Sequence, residues 1–509
     1  MPRLIRLTIP ALACAILMPV VSVSALGAPT LNSKAWTYTH DPANGYLSEI
    51  VAFDNASQTL WVAGVSGVDV LDARSGAFVQ RIDTRAYGNI NSVAIHGGVA
   101  AMAFEASVRT DPGNVRLFDT ATRSPLAGTN TFAVGALPDM LTFTPDGSKI
   151  LVANEGTPST YGALVSVPGV FPRTYGPAAL DPAGSVSIID MATRSVSATA
   201  TLAGVATTGT QIRTNTGMDF EPEYIAVNSA GTKAYVSLQE ANAMGVLDIQ
   251  SGSFARIVGL GVKDFSLPEN RMDPLNDGTA NLINVNVKGL YQPDAMATFE
   301  RGGQTFVVMA NEGDFREDDG DRSSAGSAGL NAAPPLNALR VSNTDSSAGN
   351  LFTAGARSFS IRDANGVLVY DSGEILDREA IAAGIYDDGR SRDKGVEPEG
   401  VELMEISGRL FAFIGLERTL QAAIAAFDIT DPANTTFVGL MISNGDRAPE
   451  GLKGFALDGQ YYLAFSNEGS STTSVFWLAQ LPEPGSLALT GLALVGLMGA
   501  RLRRACTVP

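Results

Sequence analysis

The sequence predicts an all-β fold, a seven-bladed β-propeller of four-stranded antiparallel blades, on three observations. A unit recurs along the chain: Pro plus an acid, an alternating strand, a turn with Gly, a second strand, then Glu. A third strand, several times ending in Asp, follows most copies. Turn formers are abundant, with 53 Gly and 26 Pro in 509 residues. Repetition of such a unit at intervals of about fifty residues or more is the mark of sheets stacked in a ring. One such sheet cannot bury both faces alone; a ring buries them and leaves only short edges.

The blades begin near Glu49, Ser92, Asp139, Glu223, Asp294, Glu399 and Glu450. The first copy, "LSEIVAFDNASQTLWVAG", lacks the closing Glu, and the second, "INSVAIHGGVAAMAFEA", has Ser92 in place of the opening acid. The next five are complete: "LPDMLTFTPDGSKILVANEG", "EPEYIAVNSAGTKAYVSLQEAN", "QPDAMATFERGGQTFVVMANEGD", "EPEGVELMEISGRLFAFIGLER" and "APEGLKGFALDGQYYLAFSNEG". Third strands follow at 67–73, 114–120, 184–191, 244–249, 357–364 and 423–430, where a terminal Asp can cap a turn. The last copy shows only three strands, and "KAWTYTH" at 34–40 is expected to supply the fourth and close the ring.

In a propeller blade the start of the first strand and the end of the second share one face of the ring. That predicts Asp139 with Glu155, Glu223 with Glu240, Asp294 with Glu312, Glu399 with Glu417, and Glu450 with Glu468, all on one face. The long insertions 157–182, 203–220, 260–290, 314–356 and 372–396 fall on the same face, as expected of a working surface on a rigid scaffold. Carboxylates crowded around one axis repel, and some would protonate. Either divalent cations bridge them, calcium being suited to oxygen ligands, or each accepts backbone N–H or Arg bonds as a latch repeated in every blade. With Asp314 added, these acids are the candidate metal ligands, and Arg316, Lys394 and Arg418 the candidate ligand-binding bases. "GDFREDDGDRSS" at 313–324 resembles calcium loops in composition only; it misses EF-hand spacing and reads as a solvated acidic loop.

The net charge of −17 argues against nucleic acid and for cations or basic partners. The two histidines, His40 and His96, leave little for His-dependent hydrolysis or His–zinc sites, and no GxSxG, Walker or Rossmann fingerprint occurs. Cys14 and Cys506 lie outside the body, which therefore has no disulfide and no thiol nucleophile.

Residues 1–28, with Arg3 and Arg6 ahead of an apolar stretch and small residues at Ser24, Ala25 and Ala28, read as a signal peptide. The body spans 34–480. At 481–505, Pro482-Glu483-Pro484, an apolar run and Arg501, Arg503 and Arg504 resemble a PEP-CTERM sorting signal. That resemblance implies an exosortase-type sorting enzyme as partner, membrane attachment through this segment, and the surface or matrix of a Gram-negative bacterium.

The stretches "GALPDMLTFTPDGSKILVANEG", "FEPEYIAVNSAGTKAYVSLQEANA", "GLYQPDAMATF", "VMANEGDFRE", "GVEPEGVE" and "FIGLERT" together resemble the choice-of-anchor I family over about 35–480. The family is similar to the mesenchyme-specific surface glycoprotein, and some members carry alkaline phosphatase labels. The resemblance implies a surface propeller and no particular catalytic residue. Three readings follow as expectations: a module binding divalent cations and exopolysaccharide or other matrix at its acidic face, a calcium-dependent phosphoesterase, or a structural surface protein with no ligand.

Overall fold

The computed structural model describes residues 33–160, 181–213, 220–316 and 320–478. The expected signal peptide and sorting segment lie outside these residues. Among the described residues no helix is long and apolar enough to cross a membrane.

The chain folds as an all-β ring. Among the described residues seven sheets hold four or more strands, numbered I to VII here by first strand: Ile50–Asp54, Ile90–His96, Pro138–Phe143, Pro222–Val227, Met296–Arg301, Pro398–Ile406 and Pro449–Leu457. Each first strand touches the next, and Pro449–Leu457 returns to Ile50–Asp54, so the cycle closes. The strand expected at 34–40 is Ser33–Thr39, which pairs antiparallel with Thr472–Leu478 as the outer strand of sheet VII. Chain start and chain end are thereby stitched into one sheet.

Burial follows the position of each strand in its sheet. Second strands such as Thr59–Gly64 and third strands such as Gly67–Asp72 are sandwiched between neighbouring sheets and are buried almost throughout. First strands alternate between buried and partly open residues, because one side faces the axis. The apolar clusters form mostly between adjacent sheets; Val51, Leu60 and Leu71 of sheet I pack with Phe455, Ala464 and Val475 of sheet VII. The Asp at the end of a third strand caps its turn as expected: Asp72 Oδ1 accepts from the Ser75 amide at 2.8 Å and Asp119 Oδ1 from the Thr122 amide at 2.7 Å.

The insertions build structure of their own. Val262–Asp264, Val287–Leu290 and Leu351–Thr353 form a three-stranded sheet, and Arg322–Ser324 pairs with Arg340–Ser342. Phe265, Met272, Leu330, Leu339 and Val341 share a separate core. The insertion before sheet VI carries the helix Ile375–Ala382. Of the expected solvated acidic loop at 313–324, Glu317, Asp318 and Asp319 lie outside the described residues, and the described part is mostly covered. Phe315, Arg316, Asp321 and Arg322 are all buried, because this segment packs into the insertion layer rather than into water.

Candidate functional site: an acidic mouth on the ring axis

A repeated backbone device puts an acid at each of these strand starts. In sheet III, Pro138 pairs with Asn154 but Leu141 pairs with Val152, so the first strand carries one extra residue at Asp139–Met140. The same bulge occurs at Glu223, Glu399 and Glu450. A bulge re-aims the side chain at its position, here toward the axis. The residue before the proline is left-handed at Leu137 (φ 46°), Gln292 (φ 41°), Glu397 (φ 50°) and Ala448 (φ 55°). Non-glycine residues adopt that conformation only when their surroundings impose it. A hydrogen bond does so here. Its carbonyl accepts the amide of the closing Glu: Glu155 to Leu137, Glu417 to Glu397 and Glu468 to Ala448, each at 2.9 Å. In sheet V the Gly313 amide takes that place on Gln292 at 3.1 Å. Opening and closing acids are therefore held together by backbone. The rings of acids also require close approach between sheets: a Cβ at Gly400 would lie 2.1 Å from the Glu450 carbonyl oxygen.

The acids surround an axial cavity of about 730 Å³. Of the predicted metal ligands, Asp139, Glu155, Glu223, Asp294, Glu312, Asp314, Glu399, Glu417, Glu450 and Glu468 line it. Glu240 does not reach the lining; its charge is the first of the neighbouring carboxylates to act on Glu223.

Two kinds of environment result. In the throat, Asp139, Glu223, Asp294, Glu399 and Glu450 face the cavity and are partly exposed. The strongest charges acting on each are other carboxylates. One oxygen each of Glu223, Glu240, Glu399 and Glu450 is buried without any hydrogen-bond partner. Burial first, and like charge second, push the Asp139 carboxyl up to about 8 and hold Glu223, Asp294, Glu399 and Glu450 well above the usual range. The latch of Arg or backbone donors expected as one alternative is therefore absent from these throat acids among the described residues.

At the rim near sheets V and VI, bases are present. Lys394 Nζ lies 2.9 Å from Glu312 Oε1 and 3.1 Å from Glu397 Oε2. Arg390 reaches Glu397 Oε1 at 2.5 Å, and Arg418, half-exposed, reaches Glu417 Oε1 at 2.7 Å. Burial opposes the charge of Lys394, yet Glu312 and Glu397 hold its ammonium well above the ordinary range. Glu417 is pushed up to about 8 by burial and then by Glu312 and Glu397.

The three predicted bases separate. Arg418 lines the cavity. Lys394 sits just behind the lining. Arg316 is taken up elsewhere: its guanidinium, 1% exposed, pairs with Asp181 at 2.6 Å and Glu221 at 2.9 Å. Sequence reasoning passed over Glu221 and Glu397, and a signal for both was present. In these two copies alone the proline is flanked by acids, Glu221-Pro222-Glu223 and Glu397-Pro398-Glu399.

A family model described as a choice-of-anchor I domain matches residues 49–432. No curated protein matches the chain. Among solved structures, a hydrazine synthase chain of Kuenenia stuttgartiensis is 12% identical, with 86% of this chain and 97% of that chain covered and a TM-score of 0.49. The Cps50 (Swd1) β-propeller domain of Myceliophteria thermophila is 10% identical, covering 88% and 99%, with a TM-score of 0.45. A chain of a mitotic checkpoint complex is 11% identical, covering 94% and 99%, with a TM-score of 0.49. Likenesses this distant carry no information about activity.

Proposed function

This chain belongs to the choice-of-anchor I family, and we propose that it is an exported, surface-anchored propeller of seven blades whose acidic mouth binds divalent cations, calcium foremost, and an extracellular matrix ligand. One observation carries the reading. One buried oxygen each of Glu223, Glu399 and Glu450 has no donor, and the bases lining the same cavity, Arg418 and Lys453, pair with Glu417 and Glu402 instead. A buried carboxylate with no partner is costly, and it is relieved either by a proton or by a cation. Several oxygens converging on one axis offer the multi-oxygen coordination that calcium takes.

Strand direction supports an outward-facing mouth. Thr472 pairs with Asn467 beside Glu468, whereas Trp477 pairs with Ser33 at the other end of sheet VII. The chain thus enters and leaves the described body on the face opposite the acids. An anchor in 481–505 would turn the mouth away from the membrane.

Titration calorimetry and thermal unfolding of the exported protein with Ca²⁺ and Mg²⁺ test the reading. Calcium at one hundred times Kd should add about 2.7 kcal/mol of stability per site. The Glu399→Gln/Glu450→Gln variant should fold and lose that gain. Flat calorimetry with both ions overturns the proposal.

A calcium-dependent phosphoesterase remains the second reading, favoured by Arg418 at the cavity edge beside Glu417, whose carboxyl is pushed up to about 8. A guanidinium can hold an oxyanion and a neutral carboxyl can protonate a leaving group. Calcium-dependent turnover of p-nitrophenyl phosphate, lost in Glu312→Gln, would support it; cation binding without turnover would not.

A further inference from the structure

Among the described residues, one set of acids meets the spacing of ligands around a single ion. Carboxylate oxygens of Glu312, Glu397 and Glu417 all lie within 4.8 Å of one another. This corner already contains positive charge: Arg390 reaches Glu397, Arg418 reaches Glu417, and Lys394 joins two of the three acids. Lys394 extends from the insertion before sheet VI and contacts Glu312 and Glu397 at 2.9 and 3.1 Å. Its side chain is 6% exposed and that of Glu397 is 1% exposed, so the ammonium is enclosed rather than draped over the surface. Its surroundings fix it in place. Gly395, at φ +71°, turns the chain directly after it, and a Cβ there would meet Asp377 and Arg357 at about 3 Å. Gln239 donates to the far oxygen of Glu312 at 2.9 Å, orienting that carboxylate.

We propose that Lys394 is a tethered counter-ion: its ammonium fills a three-carboxylate site of divalent-cation type and so directs exchangeable divalent ions to the throat instead. A lysine ammonium is a compact point charge with three donors, suited to carboxylates converging from different directions. It cannot diffuse away, and together with Arg390 on Glu397 and Arg418 on Glu417 it offsets the three carboxylates at any calcium concentration. The throat acids have no such tether. The part concerning the throat rests on the cation binding proposed above; the part concerning Lys394 does not.

Removing the ammonium should open the site. In the exported protein, Lys394→Met is expected to bind one more Ca²⁺ per chain than the unaltered protein, read by calorimetric stoichiometry and by Tb³⁺ luminescence. Without calcium the variant should unfold more readily, and calcium should restore it. The variant Lys394→Met/Glu417→Gln removes one charge of each sign, and should fold and keep the unaltered stoichiometry. Lys394→Met with no additional ion overturns the proposal. So does a failure to fold at every calcium concentration while the double variant folds. An ion gained by Lys394→Met when the unaltered protein binds none would uphold the tethered counter-ion and reject the throat site. Equal, non-zero stoichiometry in both would do the reverse.

Discussion

The seam that closes the ring and the throat at its axis both bury carboxylates, and they treat them in opposite ways. At the seam, Asp69 of sheet I meets His40 Nδ1 at 2.9 Å and accepts from Arg81 Nε at 2.7 Å and Nη2 at 2.9 Å. His40 Nε2 meets Thr473 Oγ1 of sheet VII at 2.8 Å. Asp446 accepts from Thr472 at 2.7 Å, Ser474 at 2.6 Å and Lys34 at 3.2 Å, and from Ser443. Burial opposes ionisation at both, but these donors outweigh it, and both carboxyls are held below the usual range. In the throat no donor comes, and the carboxyls rise. A chain that surrounds buried acids with donors where the ring must be locked has left the axial acids bare. Packing gives no reason to place acids there, and the contrast supports the cation binding proposed above.

The largest effect should come from breaking the seam. Asp69→Ala leaves His40 and Arg81 without their shared partner, and loss of one side of a buried pair costs about 3–5 kcal/mol. Urea unfolding measures it, and a loss below about 1 kcal/mol would mean that the seam is not a lock. The corresponding throat variant, Glu450→Gln, should behave in the opposite sense. Without divalent ions it removes a repelled charge and should leave stability unchanged or raised, while lowering calcium affinity.

The throat was legible in the sequence because its logic is local. Asp139, Glu223, Asp294, Glu399 and Glu450 each follow a proline at a strand start, and one repeat unit fixes where that start lies. The seam was half-legible: the missing fourth strand of the last copy pointed to 34–40, but nothing there paired His40 with Asp69. The insertion layer was not legible. Arg316 finds Asp181 and Glu221 from loops 135 and 95 positions away, and no periodicity connects such segments. For the same reason the acidic run at 313–324 read as solvated, although Asp321 and Arg322 are buried. Local charge density says where water would be welcome, not where another loop will cover it.

pH separates the two regions further. Asp139 and Glu417 rise to about 8, and Glu49 and Glu240 to about 7, from ordinary values of 3.8 for Asp and 4.5 for Glu. The folded protein therefore holds more protons than the unfolded chain between those limits, and stability falls as pH rises through that window. Asp69 and Asp446 have lowered values, so their contribution is present above the ordinary Asp value and is lost as pH falls below it. Thermal unfolding without divalent ions should show a maximum near pH 4–5 and a decline toward pH 8. Saturating calcium should flatten the alkaline limb and leave the acid limb unchanged. An alkaline limb that calcium does not move would separate the throat acids from cation binding.

The smallest effect isolates the backbone that aims the acids. Ala448 is left-handed at φ 55°, and its carbonyl holds the Glu468 amide at 2.9 Å. Ala448→Gly relieves about 1 kcal/mol of left-handed strain but adds a comparable freedom to the unfolded chain, so stability should change by less than about 0.5 kcal/mol. Calcium affinity should be unchanged, because the carbonyl stays in place. Ala448→Val sets a β-branched side chain where positive φ is a true outlier, at a cost of about 1–3 kcal/mol. Relaxing that strain draws the carbonyl away from Glu468 and separates it from Glu450. Affinity should therefore fall along with stability in the valine variant alone. A valine variant that unfolds earlier yet binds calcium as tightly would show that the acids are placed by side-chain packing, and that the repeated left-handed residues serve the ring and not its mouth.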